Sequence, residues 1–424
     1  MENLLSIALI KDNFVFRKDI EVFTDGYNDE YNIYIIERYI KSMLYIFGGY
    51  KLLVSGSHYI YKKIKEFYSK DGKRSFDYNF MSRIYNREFE VLEINKDDIL
   101  KSFEVTTKIE ENLSGYRVGI DVGGSDIKVS ILRYGEVISS KEVIWNPKEE
   151  SDPSYHLNFI YNVLSDAYKE LSNIDSIGIS TAGVVINNKL MISSIFRKVP
   201  EKYNNETKNL YINVIKMLEK DIGKEIPFKI INDGDASALA GVFQNNLSSC
   251  LGIAMGTSEA GGYIDNNRCL HDYLSELSFV PIDLSEKAVE DSYPKDRGIG
   301  SKYFSQDAVI RLSEKLGVNY DGIESKREKL KHFQELFINN KEKYKIVYQT
   351  IGEYLGYSLA YYFEFYDVKN VLLFGRVLSF GGDIIVNTAK NIIDSKFPKY
   401  KDIIIILPDE KKIRVGQSFA ASLI

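Results

Sequence analysis

The chain has 424 residues, 44% of them hydrophobic and 27% charged, with a formal net charge of -5. This length predicts two or three folding units, and the composition excludes whole-chain disorder. Acidic and basic residues are spread along the chain without a basic stripe, so nucleic acid is not expected as a partner.

No apolar run reaches the ~18 residues of a membrane span. The start Met1-Glu2-Asn3 lacks the basic residues and cleavage site of a secretory signal. Cys250 and Cys269 are the two cysteines, with no CxxC spacing, which excludes a disulfide scaffold and an all-cysteine zinc site. A cytoplasmic protein with no membrane partner is expected.

In chain order, the strands Ile7 to Ile10 and Phe14 to Val22 flank a turn at Lys11-Asp12-Asn13. Ile33, Ile36, Ile40, Met43 and Phe47 recur at helical spacing and stop at Gly48-Gly49. Lys51 to Ser55 reads as a strand, Tyr59 to Tyr68 as a helix and Phe89 to Ile94 as a strand. The polar stretch Glu110-Glu111-Asn112-Leu113-Ser114-Gly115 suits a linker. Residues 1–112 therefore form an α/β accessory domain, either for packing or dimerisation or as a substrate-selecting lid.

A strand meander follows: Tyr116 to Asp121, Ile127 to Arg133 and Glu136 to Ile144. Next come a helix from Leu157 to Leu171, buried strands at Ser176 to Ser180 and Phe228 to Asn232, and a helix from Ala236 to Phe243. The strands Cys250 to Met255 and Gly262 to Asp265 flank a second glycine-rich turn. A long helix through Val347, Ile351, Leu355 and Leu359 leads to the strand Asn370 to Phe374. The pattern predicts two α/β lobes facing across a cleft, over residues 116–242 and 243–424.

Four segments carry chemistry. In Asp121-Val122-Gly123-Gly124-Ser125-Asp126-Ile127-Lys128, paired glycines turn backbone N–H groups towards an anion, and Asp121 suits Mg²⁺ held through water. A plain hairpin with a solvated aspartate is the alternative. In Asn232-Asp233-Gly234-Asp235, a buried strand delivers a carboxylate that can take a hydroxyl proton, with Asn232 bonding the same substrate. Helix capping is the alternative, and Asp235 fits the cap best if Ala236 begins the helix. In Met255-Gly256-Thr257-Ser258-Glu259-Ala260-Gly261-Gly262, a second small-residue turn offers a hydroxyl and N–H groups to phosphate, or is a flexible hairpin. In Phe374-Gly375-Arg376, with Gly381-Gly382 beyond, a flat ring has room on the Gly375 backbone, unless this is an ordinary strand–helix connection.

In this order, the four segments resemble the ROK family (repressors, open reading frames, kinases) of the actin, hexokinase and heat-shock ATPase superfamily. The resemblance covers roughly residues 116–424. It implies a two-lobed actin-like ATPase fold of ribonuclease H type and an ATP-dependent kinase acting on a sugar or polyol hydroxyl. Asp121 to Ser125 is similar to the first phosphate loop, with serine for threonine, and Asn232 to Leu239 to the base segment. The base thus maps to Asp233 and substrate contacts to Asn232, Glu276 and Gly183, the last from an interdomain motif at Ala182-Gly183. ATP contacts map to Gly123, Gly124, Ser125, Lys128, Gly256, Thr257, Ser258, Gly375 and Arg376, and Mg²⁺ to Asp121. Gly416 to Ala421 resembles the closing helix, and family habit implies a homodimer.

Departures shape the rest. Ser275-Glu276-Leu277-Ser278-Phe279 stands where the family has a glutamate followed by a histidine that binds sugar and zinc. Phe279 replaces that histidine and the zinc cysteines are missing, so no zinc is expected. His271 is either a substitute or a structural histidine. Arg376 stands where the family has glycine, and it either meets the nucleotide or blocks its pocket. Asp283 to Asp307 looks like an insertion over the site, a candidate lid. A ROK-like sensor of sugar or nucleotide without catalysis is the alternative function, and an ATPase driving a partner is a third.

Overall fold

The structure is a computed structural model that describes residues 2–109 and 114–423. Residues 110–113 of the expected linker lie outside the described residues.

In the N-terminal unit, β1 (Glu2–Lys11) and β2 (Phe14–Phe23) pair antiparallel about the expected turn, with Lys11 opposite Phe14. α1 (Asp29–Phe47) follows and ends at Gly48, whose φ of 74° suits glycine at a helix C-terminus. β3 (Lys51–Ser55), α2 (His58–Phe67), α3 (Ser75–Tyr85), β4 (Glu90–Glu93) and β5 (Phe103–Glu104) complete a sheet of order β4-β3-β1-β2-β5. α3 was not expected: its buried residues are Asp77, Met81 and Ile84, too sparse for an apolar stripe.

β6 (Thr107–Lys108) leaves this unit. The meander of β7 (Tyr116–Val122), β8 (Asp126–Arg133) and β9 (Glu136–Ile144) opens the first lobe. α4 (Pro153–Leu171) crosses to β10 (Ser176–Thr181), which lies parallel to β7. A hairpin of β11 (Val184–Ile186) and β12 (Lys189–Ile192), helices α5 (Asn204–Lys208) and α6 (Leu210–Ile222), and β13 (Phe228–Asn232) finish it. The order is β13-β10-β7-β8-β9, and Val118, Ile120, Ile177 and Ile179 bury against Leu164 and Val214.

After α7 (Asp233–Asn245), the second lobe repeats the scheme. β14 (Cys250–Met255) and β15 (Glu259–Ile264) form an antiparallel hairpin that leads to β16 (Cys269–Leu270). A small hairpin of β17 (Glu290–Asp291) and β18 (Asp296–Arg297) precedes α8 (Gln306–Glu314), α9 (Lys326–Asn339) and α10 (Lys341–Tyr362). β19 (Asn370–Phe374), α11 (Gly382–Lys396), β20 (Ile404–Ile406) and α12 (Glu410–Ala421) follow. The sheet order is β20-β19-β14-β15-β16-β6, so residues just before the first lobe supply the edge of the second. α12 lies on the first lobe, where Gly119 and Gly178, paired across β7 and β10, leave space for its backbone. A Cβ at either glycine would collide with the carbonyl of Ser418 or Ala421.

The N-terminal unit is not an appendage. Ile36, Ile40, Met43 and Phe47 of α1 share one apolar core with Leu251, Ile253, Tyr362 and Phe365 of the second lobe. On its other side, Met81 and Ile84 of α3 belong to the same core as Val184 and Met191 of the first-lobe hairpin. The N-terminal unit therefore touches both lobes. A buried ion cluster locks the larger contact. The Asp296 carboxylate lies 3.0 Å from Arg38 Nη1, 2.9 Å from Arg74 Nη1 and 2.8 Å from Lys41 Nζ. Glu37 and Asp77 complete it, each 2.8 Å from its cation, Arg38 and Lys41 respectively. The segment 283–307, expected as a lid, is thus pinned at Asp296 by buried charges of α1 and of Arg74, just before α3.

Candidate active site

Three strand ends converge between the lobes. β7 ends beside β10, with Asp121 opposite Ser180 in the parallel register. Asp121 is buried: Oδ1 accepts a hydrogen bond from Ser180 Oγ at 2.7 Å, and Oδ2 lies 3.4 Å from Lys128 Nζ. Burial raises its carboxyl, against the pull of Lys128. Lys128 sits on β8 opposite Asp121 and also reaches Asp126 Oδ1 at 2.8 Å. Ser125 Oγ donates to Asp126 Oδ2 at 2.9 Å. Gly123 and Gly124 form the turn, and the Trp145 indole N–H donates to the Gly123 carbonyl at 2.9 Å.

β13 delivers the second group. α7 begins at Asp233, not at Ala236, and its cap is Asn232 rather than Asp235. Asn232 Oδ1 accepts from the Gly234 N–H at 2.7 Å, and Nδ2 donates to the Gly183 carbonyl at 2.7 Å. One amide thus caps the helix and ties it to the interdomain loop. Asp233 occupies the first helical position, half-buried. Burial, then the charge of Asp121, push its carboxyl up to about 7, against a backbone hydrogen bond from Gly234. Glu276 is pushed up to about 7 by burial and then by Asp233. Asp121, Asp233 and Glu276 therefore form one electrostatically linked set.

The second hairpin turns at Gly256, Thr257 and Ser258, and both hydroxyl residues are exposed. A Cβ on Gly256 would meet open space. Gly261 and Gly262 lie within β15, not in the turn, and they serve packing. A side chain on Gly234 would strike the Gly261 carbonyl, and one on Gly262 would strike the Gly234 carbonyl. Three glycines thus press the start of α7 flat on β15 and hold Asp233 beside the hairpin. Gly375 follows β19 at φ 113°, where a Cβ would meet the Met255 backbone, and exposed Arg376 starts a short helical turn.

The Gly123 N–H donates to the Asp126 carbonyl at 2.9 Å and the Gly256 N–H to the Ser258 carbonyl at 3.0 Å, so each turn is closed by its glycine and the N–H groups of Gly124, Ser125, Thr257 and Ser258 are those that fit the phosphates of ATP. The Asp121 carboxylate, which shares Lys128 with Asp126, fits Mg²⁺ held through water. Among the described residues no group of three or more His, Cys, Asp or Glu is placed to hold a metal. Phe279 stacks on Tyr45 of α1 at a ring separation of 4.7 Å and lies 5.9 Å from both Phe76 and Phe80. The Glu276 N–H donates to the Tyr45 carbonyl at 2.9 Å. The N-terminal unit therefore covers the place of the missing histidine. His271 lies 3.2 Å from Glu104 and 3.4 Å from Asp265.

Sequence reading missed Glu259, which is 2% exposed and takes a 3.1 Å hydrogen bond from Tyr362 Oη. Its place among small turn residues disguised a strand position opposite Met255. Ser180, the partner of Asp121, was read only as the end of a strand.

The comparison with protein families decides the lineage, since the ROK family model matches residues 117–412, more than half the chain. The chain belongs to the ROK family. No curated protein sequence matches it. Solved ROK structures do. The ROK hexokinase from Thermus thermophilus aligns at 17% identity and TM-score 0.54, over 72% of this chain and 98% of that one. The ROK glucokinase from Streptomyces griseus, solved with glucose and AMPPNP, aligns at 17% identity and TM-score 0.50, over 73% and 99%. A ROK transcriptional regulator, a homologue of the E. coli MLC protein, aligns at 15% identity and TM-score 0.54, over 73% and 78%. At these identities the likeness establishes the fold, that of the actin-like ROK ATPases. The ROK family includes both sugar kinases and regulators. No helix among the described residues is long and apolar enough to cross a membrane.

Proposed function

We propose that this ROK protein is an ATP-dependent kinase that phosphorylates a hydroxyl of a sugar or polyol, with Asp233 as the base. One observation carries the reading: Asp233 stands at the head of α7, pressed against the second hairpin, with its carboxyl near neutral titration. A base of this kind works best with a pKa near the working pH.

In the reaction the acceptor hydroxyl gives its proton to the Asp233 carboxylate while its oxygen takes the γ-phosphoryl group, and ADP leaves. Glu276 orients the acceptor from the second-lobe side, and Asn232 holds Asp233 and Gly183 in register. The N–H groups at Gly124 and Thr257 steady the phosphates, in turns that Gly123 and Gly256 close with their own N–H groups, with Ser125, Lys128, Ser258, Gly375 and Arg376 around the nucleotide. Asp121 would hold Mg²⁺ through water, and the ion would supply charge neutralisation. Positioning and electrostatics account for most of the rate in such transfers.

The test is ADP release across a sugar and polyol panel. Asp233→Asn is expected to lower kcat by ~10²–10⁴ and to retain binding of a non-hydrolysable ATP analogue. Full turnover in Asp233→Asn overturns the assignment. Sensing without turnover is the second reading, favoured by Phe279 lying within an aromatic cluster where the family has its histidine. Saturable sugar binding with no ADP release from any acceptor would support it.

A further inference from the structure

The second phosphate turn rests on a carboxyl that the reaction above does not use. Met255 and Glu259 are the cross-strand pair that closes the turn Gly256-Thr257-Ser258. Glu259 opens β15 and is 2% exposed. Its Oε1 accepts the 3.1 Å hydrogen bond from Tyr362 Oη, at the end of α10. Its Oε2 has no hydrogen-bond partner among the described residues and lies against Gly300, where a Cβ would collide with it. Glycine at position 300 thus makes the room that the carboxyl fills.

The other foot of the turn is held from the same segment. The Gln306 N–H donates to the Gly256 carbonyl at 2.9 Å. Met255 also supplies the backbone against which Gly375 packs. Residues 300–306 and α10 therefore fix both ends of the turn, and Glu259 is the side chain that joins them to it.

An apolar side chain would fill this seat without the desolvation that a carboxyl suffers. Burial pushes the Glu259 carboxyl up to about 8, and the Tyr362 hydrogen bond offsets little of that. The titratable groups facing it are two phenols, Tyr362 and Tyr366, both raised by burial themselves. Among the described residues no cation or second carboxylate acts on it. Groups kept at the expense of stability gather at functional sites.

We infer that Glu259 is a positioning residue for the nucleotide: through Tyr362 and Gly300, its carboxyl sets the turn whose Thr257 and Ser258 N–H groups meet the phosphates. With its proton on, the carboxyl is a neutral strut. When the proton leaves, a charge without a countercharge lies next to the phosphate-binding residues. It repels the phosphates and draws the foot of the turn towards water. Nucleotide binding and retention of this proton therefore favour each other. The inference rests on the kinase reading only in taking this turn to meet the phosphates of ATP.

The experiment is calorimetric titration of the full chain with AMPPNP and Mg²⁺, on the wild type, Glu259→Gln and Tyr362→Phe. Glu259→Gln keeps the shape and cannot ionise, so dividing by its affinity cancels ionisation of the ligand and buffer. The ratio of wild-type to Glu259→Gln affinity is expected to be near one at about pH 6.5 and to fall about tenfold by about pH 9.5. Tyr362→Phe removes a hydrogen bond that favours the charged form, so its fall should begin at higher pH. Melting temperatures at each pH mark the range in which all three are folded. A merely structural Glu259 would move those melting temperatures with pH and leave the affinity ratio flat. A flat ratio, or a fall that Tyr362→Phe does not displace, overturns the inference. ADP release separates the two readings. Binding that follows Glu259 without turnover of any acceptor sinks the kinase and spares the positioning role. Turnover with a KM for ATP indifferent to Glu259→Gln at every pH does the reverse, and no analogue binding by any of the three overturns both.

Discussion

Removing the Asp296 carboxylate tests how the N-terminal unit is held. Asp296 balances a set of three cations, Arg38, Lys41 and Arg74, against three carboxylates, Glu37, Asp77 and its own. Side-chain exposures are 5%, 1% and 7% for the cations and 0%, 2% and 6% for the acids, so water cannot make up a missing charge. Burial alone would raise the Asp296 carboxyl, but Lys41 and Arg38 outweigh it and hold it below the ordinary range. Asp296→Ala leaves three cations facing two acids. Breaking a buried pair in this way costs about 3–5 kcal/mol, a large part of the ~5–15 kcal/mol that holds a protein folded. Lys41→Met in the same chain restores the balance, and Asp77 keeps its 2.7 Å hydrogen bond from Tyr45 Oη. Urea unfolding should show the double variant more stable than Asp296→Ala alone. A cost below about 1 kcal/mol for Asp296→Ala, or no recovery on adding Lys41→Met, refutes the reasoning.

Other outcomes follow from the site. With the Asp233 carboxyl raised to about 7, kcat/KM should climb with pH through that value as the base loses its proton, and Asp121→Asn should move the limb to lower pH; a limb near the ordinary aspartate range would contradict this. Burial pushes the Glu259 carboxyl up to about 8, so its folded value exceeds the unfolded one. Stability is then fullest below pH 4.5 and declines as pH rises towards 8. Glu259→Leu should therefore gain on the order of 3 kcal/mol at pH 8 and much less at pH 5, as read by denaturant melts. Gly234→Ala should cost about 1–3 kcal/mol and lower kcat by forcing α7 off β15, whereas Gly256→Ala, facing open space, should stay within about 0.5 kcal/mol in the same melts.

Local signals carried much of the architecture. Strands such as Tyr116–Val122 and Phe228–Asn232 are apolar runs that end abruptly in glycine or acid, so both hairpins and the base segment were readable. α1 was readable because its apolar residues recur along one face. What escaped depends on distant partners. Asn232 could be chosen as the cap over Asp235 only with knowledge of the Gly183 carbonyl, 49 residues away. The helix start moved to Asp233 because Gly234, a poor helix former, is required by its contact with β15. Segment 283–307 looked like a polar insertion because the charges that bury Asp296 lie 258 residues earlier, on Arg38. The roles given to Asp121 and Asp233 were readable from a strand ending in an acid beside a glycine turn or a helix start, whereas that of Glu276 came from the resemblance alone. The geometry adds their shared electrostatics and the N-terminal cover over Phe279.

The core that joins α1 to the second lobe also sets an order of assembly. Ser42 Oγ pairs with Tyr361 Oη at 2.7 Å, Tyr39 and Phe16 pack on Phe365, and Lys18 reaches Glu364. The opening residues thus find their partners more than three hundred positions later. A ribosome making this chain at ~5–20 residues per second would hold that aromatic surface uncovered for tens of seconds. The first lobe, whose sheet closes within residues 116–232, can form in the interval, although its last helix, α12, arrives at the very end. The nascent N-terminal unit is therefore the segment a chaperone would be expected to shield, and late synthesis is the step that buries it.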